Sequence, residues 1–233
     1  MTCVGTLGAG IVFDMSRTSL VAAAVFCAFS ATACGDAALA SRGGPQGEVL
    51  ETFLRALAAA DGEAARACLD TSTSPGADFG RIVVRGLALA ARARSFEGQA
   101  RARVPGAEAV WIADIDLAAM VRDLRVDLET GEWKQTAAEA SLTVPGRAPL
   151  RFVQQGGVWR IAAPNLDGNR ADLVAKVDAS LGVIEAFYAR AEAALAQGHA
   201  GTKLRDEVRE AARVTKEQIA ALYPDLVRIF SER

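Results

Sequence analysis

Ala138-Glu139-Ala140-Ser141-Leu142-Thr143-Val144, Leu150-Arg151-Phe152-Val153-Gln154 and Val158-Trp159-Arg160-Ile161-Ala162 decide the fold of this chain. In the first segment Ala138, Ala140, Leu142 and Val144 alternate with polar or smaller partners, the period of two that a half-buried strand needs. Pro145-Gly146 and Gln155-Gly156-Gly157 are turn sequences that separate the three runs, so 138–162 predicts a meander of antiparallel strands. Upstream, Glu129-Thr130-Gly131 reads as another hairpin turn, entered by Leu124, Val126 and Leu128, which alternate like a strand. Phe96, Gly98, Ala100, Ala102 and Val104 alternate with Glu97, Gln99, Arg101 and Arg103, and Pro105-Gly106-Ala107 turns that strand into a partner over 109–113.

Before the strands the period lengthens. Val49, Leu50, Phe53, Leu54 and Leu57 recur at helical spacing over 48–60. Asp61 caps a short second helix over 63–69, and a loop over 72–76 follows with a Pro75-Gly76 turn. Phe79, Ile82, Val83, Leu87 and Ala90 suit a third helix, although Ile82-Val83-Val84 also suits a strand. Leu117, Met120, Val121 and Leu124 suit a short helix. After Pro164, Asp167-Gly168-Asn169 turns the chain into one apolar helical face from Leu173 to Leu195. Gly198-His199-Ala200-Gly201 breaks it, and Leu204, Val208, Ala211, Ala212, Ile219 and Leu222 mark a second long helix, ended at Tyr223-Pro224. The expected class is α+β: N-terminal helices packed on a curved, cone-like antiparallel sheet, plus a C-terminal α-helical hairpin.

The N-terminus carries an address. Thr18 to Ala33 holds no charged residue, follows Arg17 and ends in small side chains, the order of an export signal. Met15 gives a compact signal, whereas starting at Met1 adds Asp14 and no basic residue, so Met15 reads as the start. The run falls short of the roughly 20 residues that span a bilayer, which argues against an uncleaved membrane helix. Ala31-Thr32-Ala33-Cys34 resembles the lipobox of bacterial lipoproteins, with Ala31 where that family usually has Leu. The resemblance implies a diacylglyceryl group on the Cys34 sulfur and cleavage before it. Gly35 follows, and Asp36 only one later, which by the same resemblance points to the outer membrane. Ala31-Thr32-Ala33 and Ala38-Leu39-Ala40 are equally sites for ordinary signal peptidase, which leaves free secretion open. The small, polar stretch from Gly35 to Gly47 reads as a flexible tether. The organisation expected is a signal peptide over 1–33, a lipidated tether over 34–47, an α+β domain over 48–163 and the helical hairpin over 164–233.

Composition limits the partners. Removing 1–33 from 233 residues leaves 200, and 51% of the chain is hydrophobic, enough for a packed core. A net charge of −2 argues against nucleic acid as a partner. Charge is nevertheless blocked: six arginines and one acid lie between Arg81 and Arg103, and seven acids and two arginines between Glu108 and Glu132. Because the two blocks are adjacent and cancel, they are expected to pair across neighbouring elements, the alternative being a basic patch for anionic lipid or cell-wall polymer. With Cys3 and Cys27 in the leader and Cys34 lipidated, only Cys68 remains, on a helical pattern where a buried structural thiol is expected.

An N-terminal helix pair broken at Ala58-Ala59-Ala60-Asp61-Gly62-Glu63, then hairpins, then Gly156-Gly157-Val158-Trp159-Arg160-Ile161, resembles the nuclear transport factor 2-like (SnoaL-like) superfamily over 48–163. The resemblance implies a cone whose enzymes use a carboxylate base with tyrosine or protonated-carboxylate donors, or His-Asp pairs. Here Tyr188 and Tyr223 fall in the C-terminal hairpin and His199 in the turn between its helices, outside the usual pattern. Asp114, beside Trp111, is the one conceivable base on a cone wall, while Asp116 reads more simply as a helix cap. The chain has no CxxC, His pair or calcium-spaced carboxylates, and Gly5 to Gly10 lacks the Lys-Ser/Thr of a phosphate loop, so neither cofactor nor metal is expected. The expected function is non-catalytic: an exported, membrane-anchored lipoprotein, periplasm-facing or at the cell surface, that meets a protein partner or a second copy through the hairpin. The alternative is binding, or less readily conversion by isomerase or cyclase chemistry, of a small apolar molecule in a pocket lined by Phe53, Trp111, Asp114, Leu142, Phe152 and Trp159.

Overall fold

The computed structural model describes residues 38–103, 117–145, 148–164 and 170–222. These form an α+β structure in the order α1 (Ala38–Ala59), α2 (Gly62–Ala67), α3 (Ser74–Arg101), α4 (Leu117–Glu129), β1 (Glu132–Gln135), β2 (Glu139–Thr143), β3 (Leu150–Gln155), β4 (Val158–Ile161), α5 (Arg170–Ala196) and α6 (Gly201–Leu222). The strands make one open antiparallel sheet in sequence order, β1-β2-β3-β4. Gly156 and Gly157, with φ of 55° and 82°, close the β3–β4 hairpin as a two-residue turn between the paired Gln155 and Val158. Positive φ at both central residues is what a type I′ turn requires, and glycine adopts it without strain. At the outer edge of β4 the Asp70 amide donates to the Ile161 carbonyl and the Ile161 amide to the Cys68 carbonyl, both at 2.8 Å, so residues 68–70 cover that edge.

Register places Trp133, Ala140, Leu142, Leu150, Phe152, Trp159 and Ile161 on one sheet face. That face packs on Leu50, Phe53, Leu54 and Leu57 of α1, Val121, Leu124 and Leu128 of α4, and Val83 and Leu87 of α3, forming the first core. A second core joins Ile82, Leu89, Ala93, Phe96 and Ala100 of α3 to Val177, Leu181, Phe187, Tyr188 and Leu195 of α5 and Leu204, Val208 and Ala211 of α6. Helix α3 therefore serves both cores from different stripes. Each fully buried Leu or Phe contributes about 1.5–3 kcal/mol of transfer free energy, so two such clusters are substantial determinants of the fold.

Several sequence expectations meet a different structure. Residues 38–47 are helical rather than a tether, with a kink at Gly44 (φ 55°, ψ −137°) before Pro45. Leu39 is 1% exposed and Gln46 0%, so this segment belongs to the packed body. The alternation read as a strand over 96–104 lies on α3 as far as Arg101, and Leu124 to Leu128 continues α4. Ser74, Pro75 and Gly76 open α3 behind a Thr73 cap instead of forming a loop. The partner strand expected over 109–113 and the Tyr223-Pro224 stop lie outside the described residues. The expected strands over 138–144, 150–154 and 158–162 coincide with β2, β3 and β4, and Asp61 caps α2 by accepting from the Ala64 amide at 3.0 Å.

Candidate functional site

Phe53, Leu142, Phe152 and Trp159 come together as members of the first core, each less than a tenth exposed. Trp133 lies against Phe152 with ring centroids 5.3 Å apart, closing the same face. Trp111 and Asp114, the other two candidates, lie outside the described residues, as does Cys34.

The strongest grouping of charge is a seam between α3 and α5. The Arg85 guanidinium donates from Nε and Nη2 to both oxygens of Glu185, each at 2.6 Å, and from Nη1 to Asp178 at 2.7 Å. Arg92 grips Glu192 in the same two-pronged way, at 2.7 and 2.6 Å, and Arg81 reaches Asp178 at 2.7 Å. Arg85 to Glu185 and Arg92 to Glu192 share an offset of 100 residues, so α3 and α5 run parallel in a seven-residue register. Arg103 closes the far end by donating to the Leu195 carbonyl near the C-terminus of α5. The guanidinium of Arg81 on Asp178, that of Arg85 on Glu185 and that of Arg92 on Glu192 hold these carboxylates below their ordinary range.

Arg81, Arg85 and Arg92 of the arginine block therefore pair with acids of α5, about a hundred residues on. The chain between α3 and α5, which carries α4 and the whole sheet, acts as a crossover that sets the two helices side by side. Sequence reasoning missed Asp178, Glu185 and Glu192, although their spacing of seven matches that of Arg85 and Arg92 and was the readable signal.

A smaller polar cluster sits where 68–72 meets the sheet. Asp70 accepts from the Ser72 amide at 2.9 Å, the Ser72 hydroxyl at 2.7 Å and the Gln155 amide group at 2.7 Å. Burial alone would raise the Asp70 carboxyl, but these bonds outweigh it and hold it low. The three side chains satisfy one another and fix the edge of the sheet. Cys68 is buried, with its thiol pushed up by burial and its Sγ directed at the Ala64 carbonyl, a packing role. Among the described residues no group of three His, Cys, Asp or Glu could hold a metal ion, and no helix is long and apolar enough to cross a membrane. An open depression of about 580 Å³ on α6 is lined by Thr202, Lys203, Asp206, Glu207 and Glu210, all from one helix. Comparison with protein-family profiles, with curated proteins and with solved structures found no match.

Proposed function

We propose that the protein is exported and anchored to a membrane by a lipid on Cys34, and that its body is a non-catalytic interaction module of the cell envelope. The observation that carries this reading is the leader itself: Arg17, the uncharged run Thr18–Ala33, and the lipobox-like Ala31-Thr32-Ala33-Cys34. Several acyl chains would hold the protein firmly, since each buried methylene contributes about 0.8 kcal/mol. The burial of Leu39 supports a cut before Cys34 over the other small-residue site. Cleavage after Ala40 would remove a side chain that packs in the first core.

The interior favours interaction over ligand capture, because Phe53, Leu142, Phe152 and Trp159 pack on one another. We read α5 and α6 as a C-terminal hairpin clasped onto α3, added to a helix-on-sheet body of the nuclear transport factor 2-like kind. The apolar faces of α5 and α6 lie in the second core, which leaves the charged outer side of α6, with Asp206, Glu207, Glu210 and Arg213, to meet a partner. Growth with a fatty-acid analogue tests the anchor. Label is expected on the intact chain and absent from Cys34→Ser, and equal labelling of the two would reject it.

A further inference from the structure

We infer that the surface around the first turns of α1, formed by Arg42 with Thr130 and Glu132 beyond the end of α4, lies against the phospholipid headgroups of the bilayer that holds Cys34. This rests on the lipid-anchor reading and adds an orientation to it. Only residues 35–37 separate Cys34 from Ala38, and a fully extended chain advancing at most about 3.6 Å per residue reaches about 14 Å over that interval. A flexible stretch as far as Gly47 would let the body wander, but α1 is already packed from its first turns. Leu39 is buried in the first core, Gly43 sits so close to the Trp133 ring that a Cβ there would meet it at 2.5 Å, and Arg42 donates to the Glu129 carbonyl.

The attachment point is therefore held within about 14 Å of the packed start of α1, and the near surface is whatever surrounds that start. Just past the other end of α1, Gly62 of α2 lies so near α3 that a Cβ there would meet Val84 at 3.2 Å, and α3 carries α5 and α6. With about 1.5 Å of rise per residue, the stretch of α1 beyond the kink, from Pro45 to Ala59, sets its far end roughly 20 Å from the kink. The near surface mixes Arg42 with Glu132, so its placement comes from covalent reach rather than from attraction to anionic lipid, and salt should not release it.

The test uses the full chain, produced with its leader, checked by mass for acylation and reconstituted in phosphatidylcholine vesicles containing a headgroup-quencher lipid. Dyes are placed singly at Arg42→Cys, Thr130→Cys and Arg213→Cys. All three positions are exposed, and Cys68 is buried from the reagent. Emission at 42 and 130 is expected to fall by more than half, at 0.1 and 1 M salt alike, while the dye at 213 keeps most of its signal. Twenty Gly/Ser residues inserted after Gly35 should restore the first two. The dye at 130 reports independently if replacing Arg42 disturbs the kink. Acylated protein whose dyes at 42 and 130 are unquenched, or quenched equally with the insert, would overturn the orientation and leave the anchor standing. Protein without acyl mass would remove both.

Discussion

Ala60 ends α1 with φ of 57°, a left-handed conformation that L-residues other than glycine adopt at a cost of roughly 1–2 kcal/mol. The Asp61 amide donates to the Ala56 carbonyl at 2.9 Å and the Ala60 amide to that of Leu57 at 3.1 Å, the paired bonds of a Schellman ending. The same pattern ends α5, where His199 reaches Ala194, Gly198 reaches Leu195, and Gly198 supplies the positive φ. Replacing Ala60 by glycine should therefore stabilise the protein by up to about 1 kcal/mol, after the loss of a small apolar contact, while Gly198→Ala should destabilise by a similar amount. Urea midpoints of the two variants moving in the same direction would contradict this. Phe152, fully buried on the sheet, should cost about 3–5 kcal/mol when changed to Ala, read from the same titration, and a loss below about 1 kcal/mol would place it outside the core. At this scale the sequence was partly legible. Asp61 as a cap and Gly156-Gly157 as a turn could be read from local chemistry. Gly43 could not, because its smallness answers to Trp133, about ninety residues away.

At the scale of elements, the strands were legible and two helical segments were not, for one reason. An alternating run at i, i+2, i+4 contains the i, i+4 pair of a helix face. Phe96 and Ala100, like Leu124 and Leu128, satisfy both periods, and the buried neighbours on α3 and α4 decide for the helix. The spacing of seven on each side of the seam between α3 and α5 could be read, but not their pairing, because the partners lie about a hundred residues apart. Its carboxylates sit below their ordinary values of 3.8 and 4.5, so their contribution is present above those values and is lost as pH falls through the folded ones. Stability measured from pH 7 down to 3 should fall below about pH 4.5, and Arg85→Met should flatten part of that fall. An identical acid limb in the variant would deny the seam its role. At neutral pH the partly exposed pairs contribute little individually, so an Arg92/Glu192 double-mutant cycle should give a coupling of about 0.5–1 kcal/mol.

Across the whole molecule, α3 is the element both cores need. Removing residues 165–233 would expose Ile82, Leu89, Ala93 and Phe96 on α3 together with the unpaired arginines of the seam. A fragment of 35–164 should aggregate or melt without cooperativity beside a monomeric 35–233, as read by light scattering and calorimetry. A monomeric 35–164 with an unchanged melting temperature would make the two cores independent. The fold class was legible at this scale because period-two strands followed period-3.6 helices. The tether boundary at Gly47 was not, because the glycine-rich composition of 38–47 hides a segment that the sheet and α4 hold in place.

The anchored reading is tested most directly by the intact mass of the protein extracted from its own membranes. The expected result is a chain that begins at Cys34 and carries the added mass of a diacylglyceryl group, with residues 1–33 gone. A chain that retains its leader and bears no acyl group, recovered from the soluble interior of the cell, would contradict it.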